Sequence, residues 1–454
     1  MREAFYFLFL KRHHLNQILQ RSEEQIFALA PDEASKKAGK DLANPSKWVS
    51  RGINELALWG ECQGSGSKPY QTQVDLSAIA FKCSCPSRKF PCKHGLGLLL
   101  LESRNPDLFN DAEMPVWVAD WINKRGEKEV KKLTAADKPV DEVAQAKRQE
   151  ARTKKVSEGA VELLVWIKDI IRNGILSLPE KHAAYWDNMA RRMVDAQAPG
   201  LASMIRELAA THFWKENWQP VFIEKLLQLY LLAESYQHLS QISEILQQDV
   251  LSRIGFTINQ DELKTQVGIA DNWLVLGKTI EAEGPLSVEQ NWLYGLGSQR
   301  HALILQFYVK GQNLPFSIIP GTKIQAELVF FTSIIPYRAV IKTMGGIAGD
   351  MNSPVKGLSG WLEYTNLQCQ FSSSLPFHSD IPVVIEKLKP MKMGNDWYLQ
   401  DEEGYLGRIY PGFEQLWTLM ALSGGAPLTM SLIKKDNDHL PIGIWSQHIY
   451  QPFK

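Results

Sequence analysis

Cysteine is scarce in this chain: five residues in 454. So few cannot staple a chain of this length as a disulfide scaffold. No stretch approaches about 18 consecutive apolar residues, so no membrane-spanning helix is expected. The apolar run Ala4–Leu10 resembles the core of a signal segment, but KRHH follows it directly and no cleavage site adjoins it. The expectation is therefore a cytoplasmic protein whose thiols stay reduced and free. An excess of one charge is also missing: 50 Lys and Arg face 50 Asp and Glu. No global field draws the chain to nucleic acid or to a membrane surface. Catalytic signatures are missing as well. There is no H-E-x-x-H, no G-x-S-x-G and no G-x-x-x-x-G-K-[ST]. What remains is an ordinary globular composition, 44% hydrophobic and 22% charged, with a generous 14 Trp. At about 150 residues per domain the length allows two to four domains.

Against that scarcity, three of the five cysteines fall in one short stretch, FKCSCPSRKFPCKHGLGLLLL (81–101). Cys83 and Cys85 are two apart, so on a strand both thiols point to one face. Pro86 and Pro91 bracket a loop that returns the chain. Cys92 and His94 then arrive where the apolar run predicts a helix start, and backbone N–H groups there favour thiolate. Three sulfurs and one nitrogen suit tetrahedral Zn²⁺, at about 2.3 Å to sulfur and 2.0–2.1 Å to nitrogen. One such set implies one zinc per chain. Four protein ligands leave no position for water, so the site reads as structural. The H-x-E…P-C-x-x-C pattern of zinc deaminases is not met. Cys62 is either a spare thiol near this site or a small buried hydrophobe.

Lys82, Arg88, Lys89 and Lys93 surround the candidate ligands beside Phe81 and Phe90, and residues 47–104 hold eight Lys/Arg against four Asp/Glu. Cations interleaved with aromatics suit contact with nucleic acid or another partner. Compensation of the thiolate charge is the competing reading. The loop from Gln63 to Tyr70 is either a plain connection or one that presents Gln63, Lys68 and Tyr70 to a partner.

Along the chain, DEASKKAGKDLA (32–43) reads as a helix, and a capping pattern at Ser22 and Gln25 starts one before it. LALWGEC, QTQVDL and AFKCSC alternate as strands, giving a finger core at about 56–104. PVWVADWINKR places Trp117 and Trp121 on one helical face. Residues 1–125 thus form an N-terminal region containing the finger. Residues 126–155 are rich in charge and poor in large apolar side chains, which reads as a charged linker. Residues 156–260 carry helical periodicity throughout. From 265 to 454 short β-rich segments alternate with Gly and Pro, interrupted by one helix in FEQLWTLMAL that ends at Ser423-Gly424-Gly425. That last region reads as sandwich-like or as a curved sheet.

The spacing C-x-C…C-x-H at Cys83, Cys85, Cys92 and His94 resembles the SWIM zinc finger. The wider stretch LWGECQGSGSKPYQTQVDLSAIAFKCSCPSRKFPCKHGLGLLL, with APDEASKKAGKDLA before it and PVWVADWINKR after it, is similar to bacterial SWIM zinc finger family proteins. The resemblance covers about residues 29–125, and the four ligand positions map without departure. It implies a structural zinc and recognition of protein or DNA through the finger. It also implies partners of the MoxR-type AAA ATPase and von Willebrand A-domain classes, beside which such bacterial proteins are often encoded.

The expected class is α+β multidomain, with a small ββα-type SWIM zinc finger, an all-helical middle domain and a β-rich C-terminal domain. The expected function is a zinc-binding interaction protein without catalytic activity. A DNA-binding protein using the basic finger, and an enzyme with an unrecognised site in the C-terminal domain, are the alternatives.

Overall fold

The computed structural model describes residues 23–453 except 28, 65, 67, 77–78, 88, 110–111, 135–141, 284–285, 310–315, 349–354, 378–380, 436 and 447–448. Ala4–Leu10 and Ser22 lie outside the described residues, and so does Arg88.

Two helices open the described chain, α1 (Glu23–Phe27) and α2 (Glu33–Leu42). Asp32 caps α2 by accepting from the Ser35 backbone N–H at 2.7 Å, which satisfies one of the orphan donors of a first turn. A four-stranded antiparallel sheet follows in the order β1-β2-β3-β4: β1 (Trp48–Ile53), β2 (Ala57–Cys62), β3 (Tyr70–Asp75) and β4 (Ala80–Cys83). Strand β1 adds a fourth strand to the expected module.

Side chains alternate across this sheet, and each face carries a helix. One face sends Trp48, Ile53, Leu58, Cys62, Val74 and Phe81 into a core with α3 (Lys93–Arg104). The other sends Ala57 and Trp59 against Val118 and Trp117 of α4 (Val116–Thr134). Of the Trp117–Trp121 face, Trp117 packs on the sheet, while Trp121, half-buried, carries Arg125, which donates to Asp75 at 2.9 Å.

Every residue of α3 from His94 to Glu102 is buried. A helix apolar all round must be covered on all sides, and α2 supplies the side that the sheet does not. The two helices meet through glycines. A Cβ on Gly39 would stand 2.9 Å from Leu96 Cβ, and one on Gly97 would stand 2.7 Å from Leu42 Cβ. Only glycine lets the backbones approach so closely.

The segment expected as a charged linker is helical wherever it is described: α4 runs to Thr134 and α5 (Glu142–Asn173) begins well before residue 156. Helices α6 (Ala183–Asp195), α7 (Pro199–Ala209), α8 (Trp218–Gln237) and α9 (Glu244–Ile254) complete the helical middle region. After the short α10 (Gln260–Lys264) the chain turns to strands.

The C-terminal region is β-rich, as expected, but not a sandwich. Strands β5 (Ile269–Glu283), β6 (Leu286–Gly295), β7 (His301–Val309), β8 (Lys323–Phe330) and β9 (Arg338–Ala348) close a barrel in the order β5-β6-β7-β9-β8. All pairs are antiparallel except β7 with β9. A bulge between Val275 and Gly277 lets long β5 pair with both β6 and β8.

Helix α11 (Trp361–Ser374) then leads into a six-stranded sheet, ordered β12-β11-β10-β13-β14-β15. Its strands are β10 (Val383–Met393), β11 (Asp396–Gln400), β12 (Leu406–Arg408), β13 (Leu428–Lys435), β14 (Asp438–Ser446) and β15 (Ile449–Pro452), and α12 (Leu416–Ser423) packs on it. Gly424 closes α12 at φ +54°, the left-handed stop expected there.

The barrel, the six-stranded sheet and the helical region are not separate bodies. Leu274, Leu276, Trp292, Tyr294 and Leu303 leave the barrel surface and join one core with Phe222, Leu226 and Leu229 of α8 and Ile442 and Tyr450 of the sheet. The Tyr450 hydroxyl donates to Leu276 C=O at 2.6 Å across that junction. The finger has its own core, to which the rest of the chain contributes Ile319 from the β7–β8 connection.

Candidate metal centre

The centre lies where β4 stops. Cys83 is the last residue of β4; Cys85 sits just beyond it, so the two thiols converge through the turn after the strand rather than along one strand face. The loop through Pro86 and Pro91 returns the chain, Cys92 occupies the N-cap of α3, and His94 is its second residue.

The ligand atoms of Cys83, Cys85, Cys92 and His94 all lie within 4.8 Å of one another. His94 Nδ1 is 3.7 Å from Cys83 Sγ and 3.9 Å from Cys92 Sγ. A tetrahedral zinc at about 2.3 Å from sulfur and 2.0–2.1 Å from nitrogen spaces neighbouring ligand atoms about 3.5–3.8 Å apart. The donor set and its spacing therefore fit the ion. Among the described residues this is the one such group of His, Cys, Asp and Glu side chains.

The thiols and the imidazole of the four side chains are electrostatically coupled. Hydrogen bonds from Cys83 and Cys92 hold the Cys85 thiol far below its ordinary range. The same contacts, with burial, push Cys92 far up, so the cluster shares its protons unequally. Burial opposes a charged His94, but the bonds and charges of Cys83 and Cys85 outweigh it and raise the imidazole to about 9. An incoming zinc must displace these protons, so its affinity falls as pH falls.

Second contacts brace the ligands. Thr72 Oγ1 lies 3.2 Å from Cys83 Sγ, and the Tyr70 ring stands 5.0 Å from the His94 ring. Sequence reading missed Thr72; the signal was its register, directly opposite Cys83 across β3 and β4. Tyr70, read as a possible recognition residue, faces the site instead. Cys62 lies outside the cluster, buried in the finger core, and burial raises its thiol to about 11. That is the buried-hydrophobe reading.

Lys82 and Lys93 are exposed. Lys89 ties to Asp32 at 2.7 Å, and that bond, with the Ser35 N–H, holds the Asp32 carboxyl at about 2. The finger loop is thereby latched to the cap of α2.

A family model described as the SWIM zinc finger matches residues 70–102. Residues 70–102 are a SWIM zinc finger. A second model, the SWIM-associated four-helix bundle domain, matches residues 151–254, which span α5 to α9. No curated protein and no solved structure matches the chain. The SWIM finger's Cys₃His set holds a structural zinc. Elemental analysis should return about one zinc per chain; well under half an equivalent in protein never exposed to chelator counts against the centre. No described helix is long and apolar enough to cross a membrane.

Proposed function

We propose that this chain is a zinc-stabilised interaction protein whose SWIM finger recognises a protein partner, while the bundle, barrel and sheet serve as its scaffold. The closed four-ligand centre carries the reading. Its ligands are all protein side chains, so the ion's chemistry goes into fixing the loop 84–92 and the start of α3, not into activating water. Two further features support it. Trp292, Tyr294 and Leu303 of the barrel are buried in the core shared with the helical region and the six-stranded sheet, so that side of the barrel is not an open face. Lys89, one of four basic candidates for phosphate contact, is engaged by Asp32.

The finer partner reading comes from resemblance: a MoxR-type AAA ATPase together with a von Willebrand A-domain protein. A pulldown from the native host with wild type and with Cys85→Ser tests it. Enrichment of a MoxR-type ATPase on wild type alone is expected. Equal recovery on both chains removes the finger from the contact, and recovery on neither removes this partner class.

DNA binding through Lys82, Arg88, Lys89 and Lys93 is the second reading, favoured by the exposed Lys82 and Lys93. If it holds, binding weakens with salt through counterion release, and charge reversal at Arg88 and Lys89 flattens the slope by about one unit per lost contact. Under the protein-partner reading the double variant leaves any weak DNA affinity and its salt slope unchanged.

A further inference from the structure

Each thiolate of the centre receives a hydrogen bond from a group that is not itself a ligand. Cys85 accepts from the Ser87 backbone and Cys92 from the Gly95 backbone. Cys83 differs, because its partner is a side chain, Thr72 Oγ1 at 3.2 Å. Thr72 is fully buried, with 0% of its surface exposed. A buried hydroxyl needs a partner, and a zinc-bound thiolate has no proton to give. With zinc bound, the hydroxyl must therefore donate to sulfur.

We propose that Thr72 is a positioning residue of the zinc centre, whose O–H···S bond to Cys83 sets how tightly the ion is held. Three thiolates on one Zn²⁺ leave a net negative charge in a half-buried site. Each donated hydrogen bond draws charge from a sulfur and fixes its lone-pair direction. The backbone donors to Cys85 and Cys92 come with the fold, but the donor to Cys83 depends on the residue type at 72. The β3–β4 register holds Thr72 directly opposite Cys83, and β-branching limits its χ1. The site thus spends one side chain of the sheet on a ligand that the helix N-terminus cannot reach.

The test compares Thr72→Val, which keeps the shape and removes the donor, with Thr72→Ser, which keeps the donor. Zinc affinity is measured on the full chain by chelator competition, and the thiolate-to-metal charge-transfer band is recorded after Co²⁺ substitution. Thr72→Val should bind zinc about 10- to 100-fold more weakly, and its band should move to longer wavelength as the sulfur becomes the stronger donor. Thr72→Ser should stay within a few-fold of wild type, with the band in place. If circular dichroism shows that zinc-loaded Thr72→Val does not fold, Thr72→Ala against Thr72→Ser decides in the same way. Equal affinity and an unmoved band in the donor-less variants overturn the proposal. So does equal weakening in Thr72→Ser, which would mean packing alone. A wild type that takes up no zinc fails differently, because it removes the metal centre itself.

Discussion

Cys85→Ser should empty the zinc site and unfold the SWIM finger while the rest of the chain keeps its melting transition. Serine is a far poorer zinc ligand than thiolate, and Cys85 is the thiol that its neighbours hold most readily ionised. Structural zinc contributes on the order of 10 kcal/mol to folding in small finger peptides. A unit of that size without a staple rarely holds more than about 3–5 kcal/mol in reserve. The finger here is larger than its motif, since α1, α2 and the second face of the sheet add buried side chains. Those contacts, Phe81 of β4 against the start of α3 among them, soften the loss but do not replace the ion, which would tie the ligands at the end of β4 to those at the start of α3. Helix α3 is the centre of the finger core, and its first turn holds two of the four ligands. Calorimetry and limited proteolysis should show zinc falling to near zero and new cleavage confined to residues before α5. Among the described residues of the finger core, the seam to watch is Ile319, 2% exposed, which comes from the β7–β8 connection. Full zinc in the variant would refute the ligand set, and collapse of the whole chain would refute an independent finger.

The metal centre was legible because its signal is local. Scarce cysteines at two-residue spacings flank a proline-bounded loop, and no core demand explains that clustering. The helix at 93–104 was legible for the same reason, as the run GLGLLLL (95–101) a few residues after Pro91. Strand β1 was not, because WVSRGI carries Ser50, Arg51 and Gly52 where alternation should show. The helical backbone of the charged segment was not legible from its scarcity of apolar side chains, although Lys, Arg, Glu, Gln and Ala are good helix formers. Helix α11 was hidden by its polar, cap-poor sequence WLEYTNLQCQFSSS. Barrel closure could not be read locally at all. It depends on pairing β5 with β8 and β7 with β9, tens of residues apart. The outward Leu274, Leu276 and Trp292 look in sequence like any barrel residues, yet they belong to the core shared with the sheet and the bundle.

That junction makes the second large effect one of cooperativity. Phe222→Ala should lower the stability of bundle, barrel and sheet together, in a single transition. Phe222 is fully buried in α8, with aromatic neighbours Trp186, Phe213 and Trp218 at ring distances of 6.1, 6.0 and 5.9 Å. Replacing a buried Phe with Ala costs about 3–5 kcal/mol, part lost transfer energy and part residual cavity. Against a typical total of about 5–15 kcal/mol this is a large share, and in a unit of this size it lowers the midpoint by roughly 5–15 °C. The cavity opens in a core that runs without interruption from Val156 through Phe222 to Leu274, Trp292 and Tyr450. Residues of bundle and barrel share that one core, so the barrel loses part of its support when α8 loosens. Hydrogen exchange read by mass spectrometry should show strands β5 and β6 losing protection along with α5 and α8, while the SWIM finger and its zinc are unaffected. Protection retained in the barrel while the bundle opens would show that the shared core does not couple them. The bundle would then be an independent domain, as its separate family model would suggest.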